Sequence, residues 1–307
     1  MLRDFCELNA EHFPELLDLC APNLPLDTFS LPLMKARLLA DPRYDERFSL
    51  GWRDAGRLVG AASGVIRTLR EGGRHGWIRL LVVDRGHRRA GLGRRLLREL
   101  ESRLQQDQIT AIDTAGYPYY FWPGVDVRYT PACCLMEAEG YSLVRHNVNM
   151  SVDLANQSFG TQREDAQLAR EGLVLRRIDE SSLPAVVKLL QDNEWWIWCD
   201  EVAIAAQNRP ASAFLIARGD RVVSFAAYDG CMFYGTFGPT GTDPAFRGRG
   251  LGTILLKKCL QELKERGEPK CEIAWVGPVA YYAKQVDAVI CRVFREYRKT
   301  LTPPQQP

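Results

Sequence analysis

The chain has 307 residues, 46% of them apolar and 25% charged, with a formal net charge of +2. That length allows two domains, each burying its own core. So small a charge gives no global argument for nucleic acid or an anionic membrane as partner. No stretch has the length and apolarity of a membrane-spanning helix, and Met1-Leu2-Arg3-Asp4 does not open a secretory signal. The nine cysteines are odd in number and contain no Cys-x-x-Cys pair. They read as reduced thiols of a cytoplasmic protein, with no metal site and no disulfide framework.

In chain order, Phe13 to Leu19 has a helical pattern that prolines then break. Phe48 to Trp52 and Arg57 to Ile66 read as strands around the turn Asp54-Ala55-Gly56, and Trp77 to Val83 as a strongly apolar strand. A glycine turn follows, then a helix from Leu92 to Leu104 and a strand at Ile109 to Asp113. After the aromatic loop Tyr117 to Val127 come a short helix (Pro131 to Glu139) and two strand-like runs between Tyr141 and Leu154. A polar stretch around 156–171 reads as a linker between domains 1–155 and 172–307. The order then repeats. Leu173 to Ile178 is a strand, Leu183 to Gln191 a helix, and Ala213 to Ala217 and Arg221 to Ala227 are strands. Met232 to Pro239 is a strand before the second glycine turn. Leu251 to Arg266 is a helix, Cys271 to Trp275 a strand, Val279 to Lys284 a short helix and Val289 to Tyr297 the last strand.

The repeated element carries the chemistry. Arg88-Arg89-Ala90-Gly91-Leu92-Gly93 and Arg247-Gly248-Arg249-Gly250-Leu251-Gly252 both read Arg-x-x-Gly-x-Gly between an apolar strand and an amphipathic helix. A helix start has main-chain N–H groups without partners and a positive dipole end. Glycine lets a phosphate come close to them, and arginine adds a charge-assisted contact. Neither copy has the lysine and hydroxyl of a P-loop or the full Gly-x-Gly-x-x-Gly of a dinucleotide turn. One such turn is a modest signal; two at matching places indicate an internal duplication of a nucleotide-cofactor fold.

The stretches Val83 to Gly93 and Thr242 to Gly252 resemble the acetyl-CoA-binding motif of GNAT-type acetyltransferases. Pro278 to Lys284, with Tyr281 and Tyr282, is similar to that family's short helix near the thioester, and Ala132 to Tyr141 holds the same place without a tyrosine on the helix. The resemblance implies an α/β (α+β) chain of two tandem GNAT domains, each a mixed, mostly antiparallel sheet flanked by helices. The N-terminal copy is expected to be degenerate in catalysis and the C-terminal one active. On Pro123 to Asp126, Trp275 to Pro278 and Ala288 to Phe294 it looks, among tandem members, most like the bacterial glucosamine or glucosaminide N-acetyltransferases, with mycothiol synthase a further relative. That implies transfer of acetyl from acetyl-CoA to a primary amine, an amino sugar first. Another small amine as acceptor, or a non-catalytic acyl-CoA-binding regulator, stays open, as does monomer or homodimer.

Carried onto this sequence, the family pattern places acetyl-CoA on Gly238, Thr240, Gly241 and Thr242 of the strand. Arg247, Gly248, Arg249, Gly250, Leu251, Gly252 and Thr253 of the turn, and Tyr282, complete that site. The first-half counterparts are Arg88, Arg89, Gly91 and Gly93. Strand N–H groups between Phe237 and Thr242 are the candidate donors to the thioester oxygen. The second half has no histidine, so its base is sought elsewhere. The glucosaminide resemblance favours Asp287 as base and Tyr297 as acid, with Tyr282 the alternative acid. Asp243 and Glu272 read as structural. Glu194, Trp195, Trp198 and Asp200 are candidate acceptor contacts, since aromatic faces suit sugar rings and carboxylates suit hydroxyls or an ammonium. The alternative for the tryptophans is packing at a seam between the domains, and Tyr117 to Trp122 reads as packing at that same seam.

Overall fold

A computed structural model of the chain describes residues 5–301, excepting the side chains at 163–165 and 167. Met1-Leu2-Arg3-Asp4 and residues 302–307, at the outer limits of the two expected domains, lie outside the described residues.

The chain divides into two compact units, and the division is not the expected one. One unit runs to Asn147 and takes back the chain from Phe294 onward; the other is Val148–Val293. In the first unit β1 (Phe5–Glu7), α1 (Phe13–Asn23) and α2 (Leu31–Met34) precede an antiparallel run of β2 (Ser49–Asp54), β3 (Arg57–Thr68) and β4 (Arg74–Val83). Next come α3 (Leu92–Gln105), then β5 (Ala111–Asp113), parallel to β4, and β6 (Val125–Asp126). α4 (Thr130–Ala138) and β7 (Ser142–Asp153) follow. Leu96, Leu97, Leu100 and Leu104 of α3 are fully buried, because helical spacing puts them on one stripe. They pack with Val59, Ala62 and Ile112 of the sheet.

The second unit takes residues 148–153 of β7 and adds α5 (Gln162–Arg170), β8 (Val174–Arg177), α6 (Leu183–Asp192) and α7 (Ile197–Gln207). β9 (Ala213–Arg218), β10 (Arg221–Tyr228) and β11 (Thr236–Thr242) form its antiparallel centre. α8 (Leu251–Glu265), β12 (Lys270–Ile273) and α9 (Val279–Val286) follow, and β13 (Val289–Thr300) ends the chain. β12 is parallel to β11 on one side and antiparallel to 150–153 of β7 on the other. α8 packs Leu255, Leu256, Cys259, Leu260 and Leu263 against one sheet face, and α6 and α7 cover the other through Val186, Leu190, Val202 and Ala205.

Four expectations need correction. The stretch 156–171 is not a free linker: Phe159 and Leu168 are buried in the second unit's core, and most of it is α5. Tyr141 to Leu154 holds one strand, β7, not two. The strand before the second glycine turn starts at Thr236, not Met232. Met232 and Phe233 are buried in a loop that Asp229 organises by accepting the Gly235 N–H at 2.7 Å and the Thr236 N–H at 3.3 Å. The end of β13 belongs to the first unit: Arg298, Lys299 and Thr300 pair with Asp113, Ile112 and Ala111.

Candidate active site

Each unit holds the same turn in the same conformation. Asp84 (φ −49°, ψ 134°) and Asp243 (φ −45°, ψ 128°) each accept an N–H two residues on and start a single 3-10 turn. Arg88 and Arg247 follow in extended conformation, and each guanidinium Nε donates back to the strand-end carbonyl of Val83 or Thr242. Gly91 (φ 79°) and Gly250 (φ 78°) then lead into α3 and α8. A left-handed residue at that point is a glycine requirement, costing any other L-residue about 1–2 kcal/mol. The copies differ two residues earlier, where Arg89 (φ 67°) stands in the first unit and Gly248 (φ 76°) in the second.

Neither helix start is capped by a side chain. The first-turn N–H groups of α8 therefore face outward beside three guanidinium groups. Arg218, Arg221 and Arg249 all lie within 5.7 Å of the Phe246 ring. Arg249 also pairs with Glu171 at 2.6 Å, and Arg221 with Asp243. Main-chain donors without partners, a positive helix end and concentrated arginine fit the diphosphate of coenzyme A.

The strand leading to the turn opens a gap. β11 is in register with β12 only at Thr236↔Glu272 and Phe237↔Ile273. Beyond that the two strands separate, while β11 stays paired with β10. Asp243 donates its N–H to Val223 O at 2.9 Å, and the register places Gly241 opposite Phe225. An antiparallel ladder alternates its bonds, so the N–H groups of Thr240 and Thr242 point away from β10, into the gap. The Thr240 hydroxyl is engaged with Phe225 O at 2.9 Å and that of Thr242 with Ser224 at 2.8 Å. Gly238 (φ 131°) lies at the closed end of the gap, next to Phe237. The first unit repeats the device: Asp84 bonds Val59 O at 2.8 Å, which turns the Leu81 and Val83 N–H groups outward, and β5 pairs with β4 only as far as Trp77.

α9 closes the cofactor side of the second unit. The Tyr281 and Thr253 hydroxyls are 3.1 Å apart, which ties α9 to the first turn of α8. Tyr282 is 6% exposed, edge-on to Phe237 at 6.3 Å. Its hydroxyl makes no hydrogen bond among the described residues. Burial raises its pKa, so it stays protonated and able to donate. Asp287 ends α9 in the left-handed conformation (φ 50°) and is exposed. Tyr297, expected with it, lies in the first unit. It is fully buried against α3 and α4, and its hydroxyl donates to Glu137 at 2.8 Å and accepts from Arg295 at 3.2 Å. Burial pushes its pKa up to about 12.

The acceptor candidates separate. Trp195 reaches the gap: a Cβ on Gly241 would lie 2.4 Å from its Cζ3, so glycine there admits the indole. Trp198 stands 5.2 Å from Trp195 and 6.2 Å from Phe225, both tryptophans half-buried within the second unit. Glu194 is exposed at φ 60°, and Asp200 lies in the first turn of α7, a helix the sequence reading did not find. The aromatic run at 117–122 packs inside the first unit, Trp77 against Tyr117 and Phe29 against Phe121.

Comparisons with known proteins agree with this geometry. The acetyltransferase (GNAT) family profile matches twice, at residues 10–117 and 175–284. Among solved structures the chain is similar to a glucosamine N-acetyltransferase region of a fungal multi-domain GH3 β-N-acetylglucosaminidase (TM-score 0.76, 16% identity). That likeness covers 97% of this chain but only 38% of the fungal protein. It is also similar to a tandem GNAT protein from the clavulanic acid biosynthesis pathway (TM-score 0.71, 16% identity, 99% and 100% covered). A GCN5-related N-acetyltransferase from Sphaerobacter thermophilus gives a TM-score of 0.68 at 16% identity, with 98% and 96% covered. No curated protein sequence matches the chain. Among the described residues no helix is long and apolar enough to cross a membrane. With both copies of the motif matched over more than half its length, the chain belongs to the GNAT family as a tandem acetyl-CoA-dependent N-acetyltransferase.

Proposed function

We propose that the second unit transfers acetyl to the primary amine of glucosamine or a glucosaminide, and that the first unit is catalytically degenerate. The observation carrying this is the gap beside β11. Two main-chain donors face it, a glycine turn sits at one end, and Trp195 lies along it. An indole face beside the gap suits a sugar ring, and the fungal relative's region is described as a glucosamine N-acetyltransferase. In the first unit Arg79, two residues past the last pairing of β4 and β5, is buried. It lies 3.1 Å from buried Asp41, which also accepts from buried Tyr117. That network fills the corresponding place with the protein's own charges.

Bound acetyl-CoA supplies the thioester carbonyl. Thr240 N–H donates to the oxygen as negative charge develops there. With acetyl-CoA bound, Asp287 would take a proton from the acceptor ammonium to free the amine for attack, and the Tyr282 hydroxyl would give a proton to the departing sulfur and regain one from the new amide nitrogen. Asp287 has the conformation that the first unit gives to Gly140 (φ 85°) after α4. Keeping an aspartate where glycine costs less supports a role beyond the turn.

The test is thiol release from acetyl-CoA with glucosamine, its short oligomers, polyamines and amino acids. Glucosamine or its oligomers should give the highest kcat/KM. Asp287→Asn should lower kcat by about 10²–10⁴-fold, and Tyr282→Phe should lower it with acetyl-CoA affinity kept. Tyr297→Phe, run alongside, should retain turnover. Wild-type turnover in Asp287→Asn overturns the assignment of the base, and a preference for polyamines overturns the sugar.

A further inference from the structure

The gap beside β11 has a direction. The diphosphate end is at Gly250, Thr242 comes next, then Thr240, and the gap closes where Phe237 meets Ile273. The acceptor therefore lies between Thr240 and the closed foot, on the face opposite α8. Met150, Val152, Cys271 and Ile273 point to the α8 side. Alternation then puts Asn149 and Glu272 on the other face, the one that α6, α7 and Trp195 occupy.

Glu272 stands at that foot, in register with Thr236. Asn149, fully buried, donates its Nδ2–H to Glu272 Oε1 at 2.6 Å and accepts the Trp275 N–H at 2.8 Å. The same amide thus holds the carboxylate and pins the left-handed turn at Trp275 (φ 46°) where the chain leaves β12. The Arg292 guanidinium approaches Oε1 at 3.9 Å. The Glu272 side chain keeps 26% of its surface accessible, and Oε2 has no partner among the described residues. From Thr236 to Thr240 is about 13 Å of strand, room for a sugar ring between this carboxylate and the reacting carbonyl.

We propose that Glu272 is an acceptor-binding residue, oriented by Asn149, whose free oxygen receives a hydroxyl of the acceptor's sugar ring on the side away from the reacting amine. This rests on the second unit being the transferring one, and it is separable from the role given to Asp287. Glucosamine is titrated calorimetrically into the coenzyme A-saturated protein, with glucose as the amine-free comparison. Glu272→Gln, which keeps an oxygen for the Asn149 bond, should weaken glucosamine binding by about ten- to a hundredfold. Glucose, which offers the same ring hydroxyls, should weaken in parallel, while coenzyme A affinity should not change. Glu272→Asp should fall between the wild type and the glutamine variant. In turnover the loss should appear in KM for the amine, with kcat nearly unchanged. Equal glucosamine affinity in wild type and Glu272→Gln overturns the proposal. So does parallel loss of glucosamine and coenzyme A binding, the mark of a merely structural residue. Failure of wild type to bind glucosamine, with thiol release intact for another amine, overturns this inference and the sugar assignment but not the transferase reading.

Discussion

Gly252→Ala separates what the glycine turn needs for folding from what it needs for binding. Gly252 is the second residue of α8 and has ordinary helical backbone. A Cβ there would lie 3.4 Å from the Tyr281 hydroxyl and 3.5 Å from Thr242 Oγ1, so it fits without displacing its neighbours. Alanine in a helix is favoured over glycine by roughly 1 kcal/mol, and it also restricts the unfolded chain. The folded apoprotein should therefore keep its stability or gain up to about 1 kcal/mol, a rise of about 2–4 °C in Tm for a unit of this size. The methyl group, however, stands where a phosphate must approach the first-turn N–H groups. Losing one charge-assisted bond of about 1.5–3 kcal/mol should weaken acetyl-CoA binding by about ten- to a hundredfold. Gly250→Ala is the contrast. No atom lies within 4 Å of its Cβ, yet φ is 78°, so it should lose about 1–2 kcal/mol of stability through backbone strain. Calorimetry with acetyl-CoA and thermal melting of the apoprotein read both quantities. Wild-type acetyl-CoA affinity in Gly252→Ala would refute close approach of the cofactor at this helix start.

Asp229 is buried and accepts from Gly235 N, Thr236 N and Arg266. Asp229→Ala should cost about 2–3 kcal/mol in denaturant unfolding, through two main-chain N–H groups left without their acceptor, and a loss under 1 kcal/mol would show that the loop before β11 is held otherwise. His87 lies between Asp84 (3.0 Å) and Asp54 (3.1 Å), and the bonds to Asp84 and then Asp54 raise its pKa above 6.5. A raised folded-state pKa contributes stability that is complete below the unfolded value and disappears as pH rises through the folded one. The Tm advantage of wild type over His87→Asn should accordingly be larger at pH 5.5 than at pH 9, and an advantage independent of pH would contradict this. Tyr297→Phe removes a buried hydroxyl bonded to Glu137 and Arg295 and should destabilise by about 1 kcal/mol. An unchanged melting curve would show that those bonds add nothing.

Both glycine turns were legible because their information is local. A left-handed residue before a helix, an arginine three positions earlier and a leucine stripe at helical spacing all lie within some fifteen residues, and they recur in matching conformations. The same locality explains most strands and helices of the two units. Where local pattern misled, a burial partner lay far along the chain. Met232 and Phe233 look like strand residues because they are buried, but a loop built on Asp229 buries them. α5 looked like linker because its polar residues outnumber the few that reach the core. α7 escaped notice because its apolar residues do not form one narrow stripe.

From the sequence alone came the duplication, the cofactor turn and the tyrosine-bearing short helix. Tertiary structure alone decided that β13 returns its last residues to the first unit, placing Tyr297 in that unit's core. It alone turned the Thr240 and Thr242 N–H groups into an open gap, and set Glu272 and Asn149, 123 residues apart, at its foot. The physical reason is the same in each case. Which edge a strand pairs with, and which main-chain donors that leaves unpaired, depends on neighbours brought together by folding and has no signature in the strand's own residues.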